Sequence, residues 1–407
     1  LPLMPEAERV KFAIGQRLQV SIEKIAHGGH FIARHEGAVI FVRYAALGEE
    51  CIIEITGIGS SLIRADAIEI ISPSPDRVSA PCRYAHPGGC GGCDFQHISL
   101  PAQRAMKAQV IQDQFKRIAK VDISIAVEEV GAALGWRTRC TAVSNRSGEL
   151  GFYSARSHKI IPVDDCRILA NELKYSELVE HGVKADQQIE ISLSNTGERT
   201  IATSSLSEKA PLRLSSGPEV AHYVVGERIL EVSQKSFWQS HKDAPRILSE
   251  AAIEMAGAQA GEDMLDLYGG VGLFTAAFID LIGPTGRIDI VEGGKSATAD
   301  ARRNFADSPQ VHIHTGDVAQ ILPRFSRADL ILLDPPREGA GKTVTQLCAE
   351  LSPTRILYIA CDPAALARDT GYLQGFGYTL EKVRAFDLFP MTHHIEAIAL
   401  FTPSKVS

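Results

Sequence analysis

Five short apolar segments, Met264–Leu267, Arg287–Val291, Val311–His314, Leu330–Leu333 and Ile356–Ile359, alternate with helical stretches through the C-terminal part of the chain. A segment that is apolar almost throughout reads as a strand covered on both faces, and helices between such strands impose parallel pairing. The alternation therefore predicts a doubly wound parallel sheet, which binds ligands in the crevice outside the carboxyl ends of its strands. Polar residues stand at those ends. A glycine-rich loop, Tyr268-Gly-Gly-Val-Gly272, follows the first strand, Glu292 closes the second, Asp317 follows the third, Asp334 the fourth and Cys361 the fifth.

Glycines such as Gly270 let the backbone approach a ligand at the start of the next helix, and an acid at the end of the second strand can hold ribose hydroxyls. A Gly-rich turn alone serves a dinucleotide or a structural role equally well. Four consecutive strand ends with polar residues suit S-adenosylmethionine better, because no second phosphate-binding element appears. Cys361, in Tyr358-Ile-Ala-Cys-Asp-Pro363, is placed by Pro363 at the sheet edge and is the candidate nucleophile. The bland alternative is a buried core thiol. Glu396, on a later strand-like segment, is the candidate base, with a solvated surface carboxylate as its alternative.

A chain of 407 residues exceeds one ordinary core, and three domains are expected: 1–74, 75–232 and 233–407. Leu18, Val20 and Ile22 alternate with polar residues, and short apolar runs separated by glycine turns continue to residue 72, the pattern of a small OB-like barrel. Ser72-Pro-Ser-Pro75 reads as a linker. An amphipathic helix is expected over 101–119, with Met106, Val110, Ile111, Phe115 and Ile118 on its apolar face. The region from Trp136 to Val232 reads as mixed strands and turns, an α+β arrangement.

Cys82, Cys90 and Cys93, spaced C-x7-C-x2-C in a glycine-rich loop, form with the distant Cys166 a set that can hold a [4Fe–4S] cluster. Zinc is the rival metal, and Cys140 a rival fourth ligand. Cys51 and Cys348 lie in apolar runs and read as core.

The net charge of −7 argues against a general nucleic-acid binder, but residues 101–170 carry 11 Lys and Arg against 7 Asp and Glu, an excess of four. Trp136-Arg-Thr-Arg139 and Gly151–Lys159 interleave basic and aromatic side chains, which suits looped RNA. Leu1–Lys11 has no apolar signal core, and no segment has the length of a membrane span, so a cytoplasmic protein is expected.

Together, Asp266-Leu-Tyr-Gly-Gly-Val-Gly272, Asp334-Pro-Pro-Arg337, Cys361-Asp-Pro363 and Phe389-Pro-Met-Thr-His-His-Ile-Glu396 resemble the motifs of the RNA uracil-C5 methyltransferases, in that family's order and over nearly the whole chain. The resemblance implies a Rossmann-like class I methyltransferase domain, Cys361 as nucleophile and Glu396 as general base. It also implies cofactor contacts from Gln239, in Ser236-Phe-Trp-Gln239, with Tyr268, Glu292, Asp317 and Asp334. The barrel looks like a TRAM module that grips RNA, and Cys166 matches the position of the fourth cluster ligand. The implied substrate is an RNA, 23S rRNA before tRNA, methylated by a monomer. Other classes remain: a DNA cytosine-C5 methyltransferase, or a non-catalytic RNA-binding or iron–sulfur sensor protein. Three positions depart from the family pattern: Asp362 stands for Asn, Gly270 for Cys, and His241 lies where an Asn is common. A carboxylate beside Cys361 disfavours the thiolate if it is ionised and close.

Overall fold

The computed structural model describes residues 12–59, 62–206 and 210–405; the expectation for Leu1–Lys11 lies outside them. Two compact units divide the chain. One comprises residues up to Val110 with Tyr153–Ile161 and Pro390–His393, and the other Ile111–Phe152, Pro162–Phe389 and His394 onward.

The first unit contains a closed five-stranded barrel, as the alternation predicts: Arg17–Ala26, His30–His35, Ala38–Arg43, Glu50–Ile58 and Ile63–Ser72. Val20 and Ile22 point inward. A register shift after Ile22 then passes over Lys24 and turns Ile25 inward, which keeps a lysine out of the core. The Ser72–Pro75 segment is not a loose linker. Glu49, fully buried, accepts from the amides of Ala46 (2.7 Å) and Ser74 (3.2 Å) and pairs with Arg77 at 2.5 Å. Burial pushes the Glu49 carboxyl up, but these bonds outweigh it and hold the group below its ordinary range. Buried Gln103 donates to the carbonyls of Phe95 and Ile98 and accepts from the Met391 amide (2.8 Å), fixing the Pro390–His393 segment.

In the second unit an eight-stranded sheet runs Val311–Thr315, Arg287–Glu292, Asp263–Leu267, Leu330–Leu333, Arg355–Ala360, Glu396–Pro403, Tyr378–Asp387, Val127–Glu129. The first five strands are parallel, and these are the five apolar segments of the sequence. Glu396–Pro403 joins antiparallel beside Arg355–Ala360. The strand order reverses between Asp263–Leu267 and Leu330–Leu333, which opens the crevice there. Gly272 is indispensable to the loop: its φ is +95°, and a Cβ would lie 2.2 Å from the Phe305 ring.

The helix Leu100–Gln114 continues into a π-helical turn, Phe115–Ala119. Phe115 and Ala119 are buried, but Ile118, expected on the apolar face, is exposed. A π turn holds more residues than an α turn, so it rotates Ile118 outward. The turn packs on the helix Pro363–Gly375, where Gly371 faces Ala119. The same unit holds a sheet centred on Arg139–Ser144, Gln187–Leu193 and Arg199–Ser205, and a hairpin, Val220–Val225 with Arg228–Ser233. No helix among the described residues is long and apolar enough to cross a membrane.

Candidate active site

Cys361 ends the strand Arg355–Ala360, and Glu396 begins the strand beside it, with Ala360 paired to Ala397. Strand pairing, not chain proximity, therefore brings the two together. Asp334 ends the next strand over. The loop after it carries Arg337, whose guanidinium lies 3.3 Å from the His394 ring. Burial, then the charges of Glu396 and Asp334, push the Cys361 thiol up to about 12, and Arg337 opposes them. Glu396 is buried, not a surface carboxylate. Burial and then Asp334 hold its carboxyl well above the usual range, again against Arg337. Burial and Asp266 push Asp334 up to about 7. Burial thus disfavours the charged forms of Cys361 and Glu396, and the Arg337 guanidinium favours them.

Asp362, the family departure, is committed to a helix cap. Its carboxylate caps the helix Pro363–Gly375 by accepting from the amides of Ala364 (2.9 Å) and Ala365 (2.8 Å). Its charge still raises the Cys361 thiol, but less than burial, Glu396 or Asp334 does.

Glu292 Oε2 accepts from the Gly270 amide at 3.1 Å, so the second strand end clamps the glycine loop. A Cβ built on Gly270 meets nothing within 4 Å, so the loop leaves open space there. Tyr268 sits at a left-handed φ of 60°. Burial first, with the Cys348, Asp317 and Asp369 charges, raises its hydroxyl. Asp317, exposed, caps the short helix after it through the Gln320 amide. Gln239 lines a cavity of about 580 Å³ with Ser194, Asn195, Tyr223, Trp238 and His241.

Four residues without an assigned role in the sequence pattern shape the site. Fully buried Asp266 accepts from the Thr275 amide (3.1 Å) and hydroxyl (2.7 Å), while its Oδ1 has no partner among the described residues. Burial pushes it up to about 6. Arg337 is signalled only as a cation three residues after the acidic strand end Asp334. Asp369 accepts from the Ala340 amide (2.8 Å), the Gly341 amide (3.1 Å) and the Tyr358 hydroxyl (2.6 Å), anchoring the Arg337 loop. Asp300 accepts from the hydroxyls of Ser233 and Ser236 (2.6 Å each), fixing the segment before Gln239. The last two lie on helices, where no sequence pattern marks them.

The expected metal set is not assembled. A [4Fe–4S] cluster needs thiolates converging on one centre, and no group of three or more His, Cys, Asp or Glu among the described residues could hold a metal ion. Cys82, Cys90 and Cys93 belong to the first compact unit and Cys166 to the second. The glycines of this loop pack closely against neighbouring backbone. A Cβ on Gly89 would lie 2.3 Å from the Tyr84 carbonyl, and one on Gly91 2.5 Å from the Ala155 nitrogen. The residues as placed do not fit the cluster. S-adenosylmethionine does fit the other site: an open glycine loop, a carboxylate clamping it, and a buried carboxylate oxygen without a partner meet at the strand ends.

Arg137 and Arg139 are partly committed to structure. Arg137 Nε donates to the Arg139 carbonyl (2.8 Å) and Arg139 to the Ser236 carbonyl (3.3 Å).

Residues 318–403 match the family model described as tRNA (Uracil-5-)-methyltransferase, and residues 11–67 match the TRAM domain. An RNA methyltransferase of Streptomyces avermitilis is 38% identical, over 96% of this chain and 99% of its own. The chain belongs to the TRAM-bearing RNA uracil-C5 methyltransferase family. A second relative of this RNA methyltransferase, from Bifidobacterium longum, is 31% identical over 94% of this chain and 96% of its own. The fold is also that of the Pyrococcus abyssi tRNA (uracil-54, C5)-methyltransferase solved with S-adenosyl-L-homocysteine. That structure matches with a TM-score of 0.72 at 20% identity, covering 94% of this methyltransferase and 99% of its own chain.

Proposed function

We propose that this enzyme methylates C5 of a uridine in RNA, with Cys361 as nucleophile and Glu396 as base. The observation that carries it is the convergence of Cys361, Glu396, Asp334 and Arg337 at neighbouring strand ends. C5 of uracil is too weak a nucleophile to take a methyl group unaided. Attack of the Cys361 thiolate on C6 moves the C5–C6 electron pair to the C4 oxygen and makes C5 an enolate carbon. Bound S-adenosylmethionine supplies a methyl group on a sulfonium, which C5 takes. Glu396 then removes H5, the C5–C6 double bond re-forms, and the bond from sulfur to C6 breaks. A carboxylate whose proton is held tightly in the buried site is a strong base once ionised.

Arg337 is the cation that favours both anions. Tyr268, Gly270, Glu292, Asp317 and Asp334, with Gln239, are the proposed cofactor contacts. The target base must leave its stack to reach Cys361. The favoured substrate is 23S rRNA, on the pairing of a TRAM barrel with a cysteine-rich loop, with tRNA as the alternative; the enzyme is taken to act as a monomer.

The test is tritium release from RNA carrying [5-³H]uridine. Release equal to methyl incorporation on 23S rRNA transcripts, and little on tRNA, is expected. Methyl transfer without release would refute C5 as the target, and transfer to tRNA alone would overturn the rRNA assignment.

A further inference from the structure

One face of the barrel carries more cations than its own carboxylates answer. The strands His30–His35, Ala38–Arg43 and Ile63–Ser72 lie side by side, with Phe31 opposite Val42, Phe41 opposite Arg64 and Arg43 opposite Asp66. Side chains alternate across a strand, and Phe31, Ile40, Val42 and Ala65 fill the barrel. His30, Phe41, Arg43, Arg64 and Asp66 therefore share the outer face. Directly paired residues stand about 5 Å apart at Cβ.

Arg156 joins them from the Tyr153–Ile161 segment of the same unit. A turn closed by the Ser154 amide on the Lys159 carbonyl (2.8 Å) holds it, with the Arg156 backbone at a left-handed φ of 53°. Partial burial, then the guanidiniums of Arg64 and Arg43, lower the Arg156 pKa, so the three cations feel one another.

The carboxylates nearby are engaged: Glu54, opposite Asp66, pairs with Arg17 at 3.0 Å. Asp94 takes Arg43 at 3.3 Å, but its other oxygen is held by the ring (2.6 Å) and amide (3.1 Å) of His393. Burial raises the Asp66 pKa, and the Arg43 charge opposes it. Two buried nitrogens in this group, His30 Nε2 and Arg64 Nε, have no partner among the described residues. His30 is only 7% exposed and its ring stands edge-on to Phe41 at 6.2 Å. Buried polar atoms are normally paired, so unpaired ones beside an excess of guanidiniums mark a place prepared for an anion.

We propose that Arg43, Arg64 and Arg156, with His30 among them, form a subsite for a backbone phosphate of the RNA substrate. Guanidinium groups bind phosphate through paired N–H donors, and such contacts set position without reading sequence. The proposal rests on the RNA methyltransferase function above and adds where the RNA backbone is held.

The experiment compares wild type with Arg64→Gln/Arg156→Gln, and with the exposed Arg156→Gln alone in case the double variant unfolds. Fluorescence anisotropy on a labelled rRNA fragment, from 50 to 300 mM KCl, gives Kd and its salt slope. The subsite predicts a Kd raised about tenfold at 100 mM. It also predicts a slope in log K against log salt smaller by about 0.7 for each phosphate the variant no longer neutralises. KM for RNA should rise while kcat at saturating RNA holds, and Arg64→Lys/Arg156→Lys should recover part of the affinity. Unchanged Kd and slope in a folded double variant, with wild type methylating RNA normally, would overturn the subsite alone. Failure of wild type to bind or methylate any RNA would overturn the function on which it rests.

Discussion

Reaction of Cys361 with an uncharged alkylating reagent reads the electrostatics of the site in the free enzyme directly. The thiol is pushed from an ordinary 9.0 to about 12 by burial first, then by Glu396 and Asp334. At pH 7.5 an ordinary thiol is about 3% thiolate; a shift of three units lowers that roughly 1,000-fold. Iodoacetamide alkylation of the free enzyme, followed at the Cys361 peptide by mass spectrometry, should therefore be about three orders of magnitude slower than that of a cysteine peptide. It should rise tenfold per pH unit from 7.5 to 9.5 without a plateau. Arg337 favours the thiolate, so Arg337→Ala should slow alkylation further, by about tenfold for one unit charge removed at short range. A rate at pH 7.5 within tenfold of the peptide, or a plateau below pH 9, would refute the buried-thiol description. An Arg337→Ala enzyme that alkylates as fast as wild type would show that the guanidinium does not act on the thiol.

Asp334 titrates near 7 in the folded chain and near 4 when unfolded, so the folded state holds its proton across that interval. Its contribution to stability is present below about pH 4 and is lost as pH rises through about 7. Asp334→Asn should flatten the fall in Tm between pH 5 and 8, and an unchanged slope would contradict the assigned burial. Gly272→Ala combines a left-handed φ with a Cβ 2.2 Å from the buried Phe305 ring. A loss of about 3 kcal/mol is expected by denaturant melting, and a loss under 1 kcal/mol would show that the loop can relax.

The parallel sheet is legible in the sequence because short apolar-rich strands alternate with helical stretches, a pattern that survives without knowledge of the partners. The barrel is legible from alternation, but the bulge that skips Lys24 is not, since it depends on the register with the neighbouring strand. Cys361 can be picked out because Pro363 ends its strand. The burial of Glu396 cannot, because it follows from pairing with Arg355–Ala360. Ile118 is misplaced by a helical period that the π turn breaks. The glycines around Cys90 and Cys93 suggest metal because sequence does not distinguish a ligand loop from one pressed against a neighbouring backbone. Asp362 reads only as an unfavourable charge, because the helix it caps is not visible in the sequence pattern.

The central claim is a covalent bond from Cys361 to C6 of uridine, and RNA carrying 5-fluorouridine at the target position tests it most directly. Fluorine cannot be removed as a proton, so the methylated adduct should persist. With S-adenosylmethionine present, wild type should give a denaturation-resistant protein–RNA complex that maps to Cys361, and Cys361→Ala should give none. No complex from an active wild-type enzyme, or an equal yield from Cys361→Ala, would contradict the mechanism.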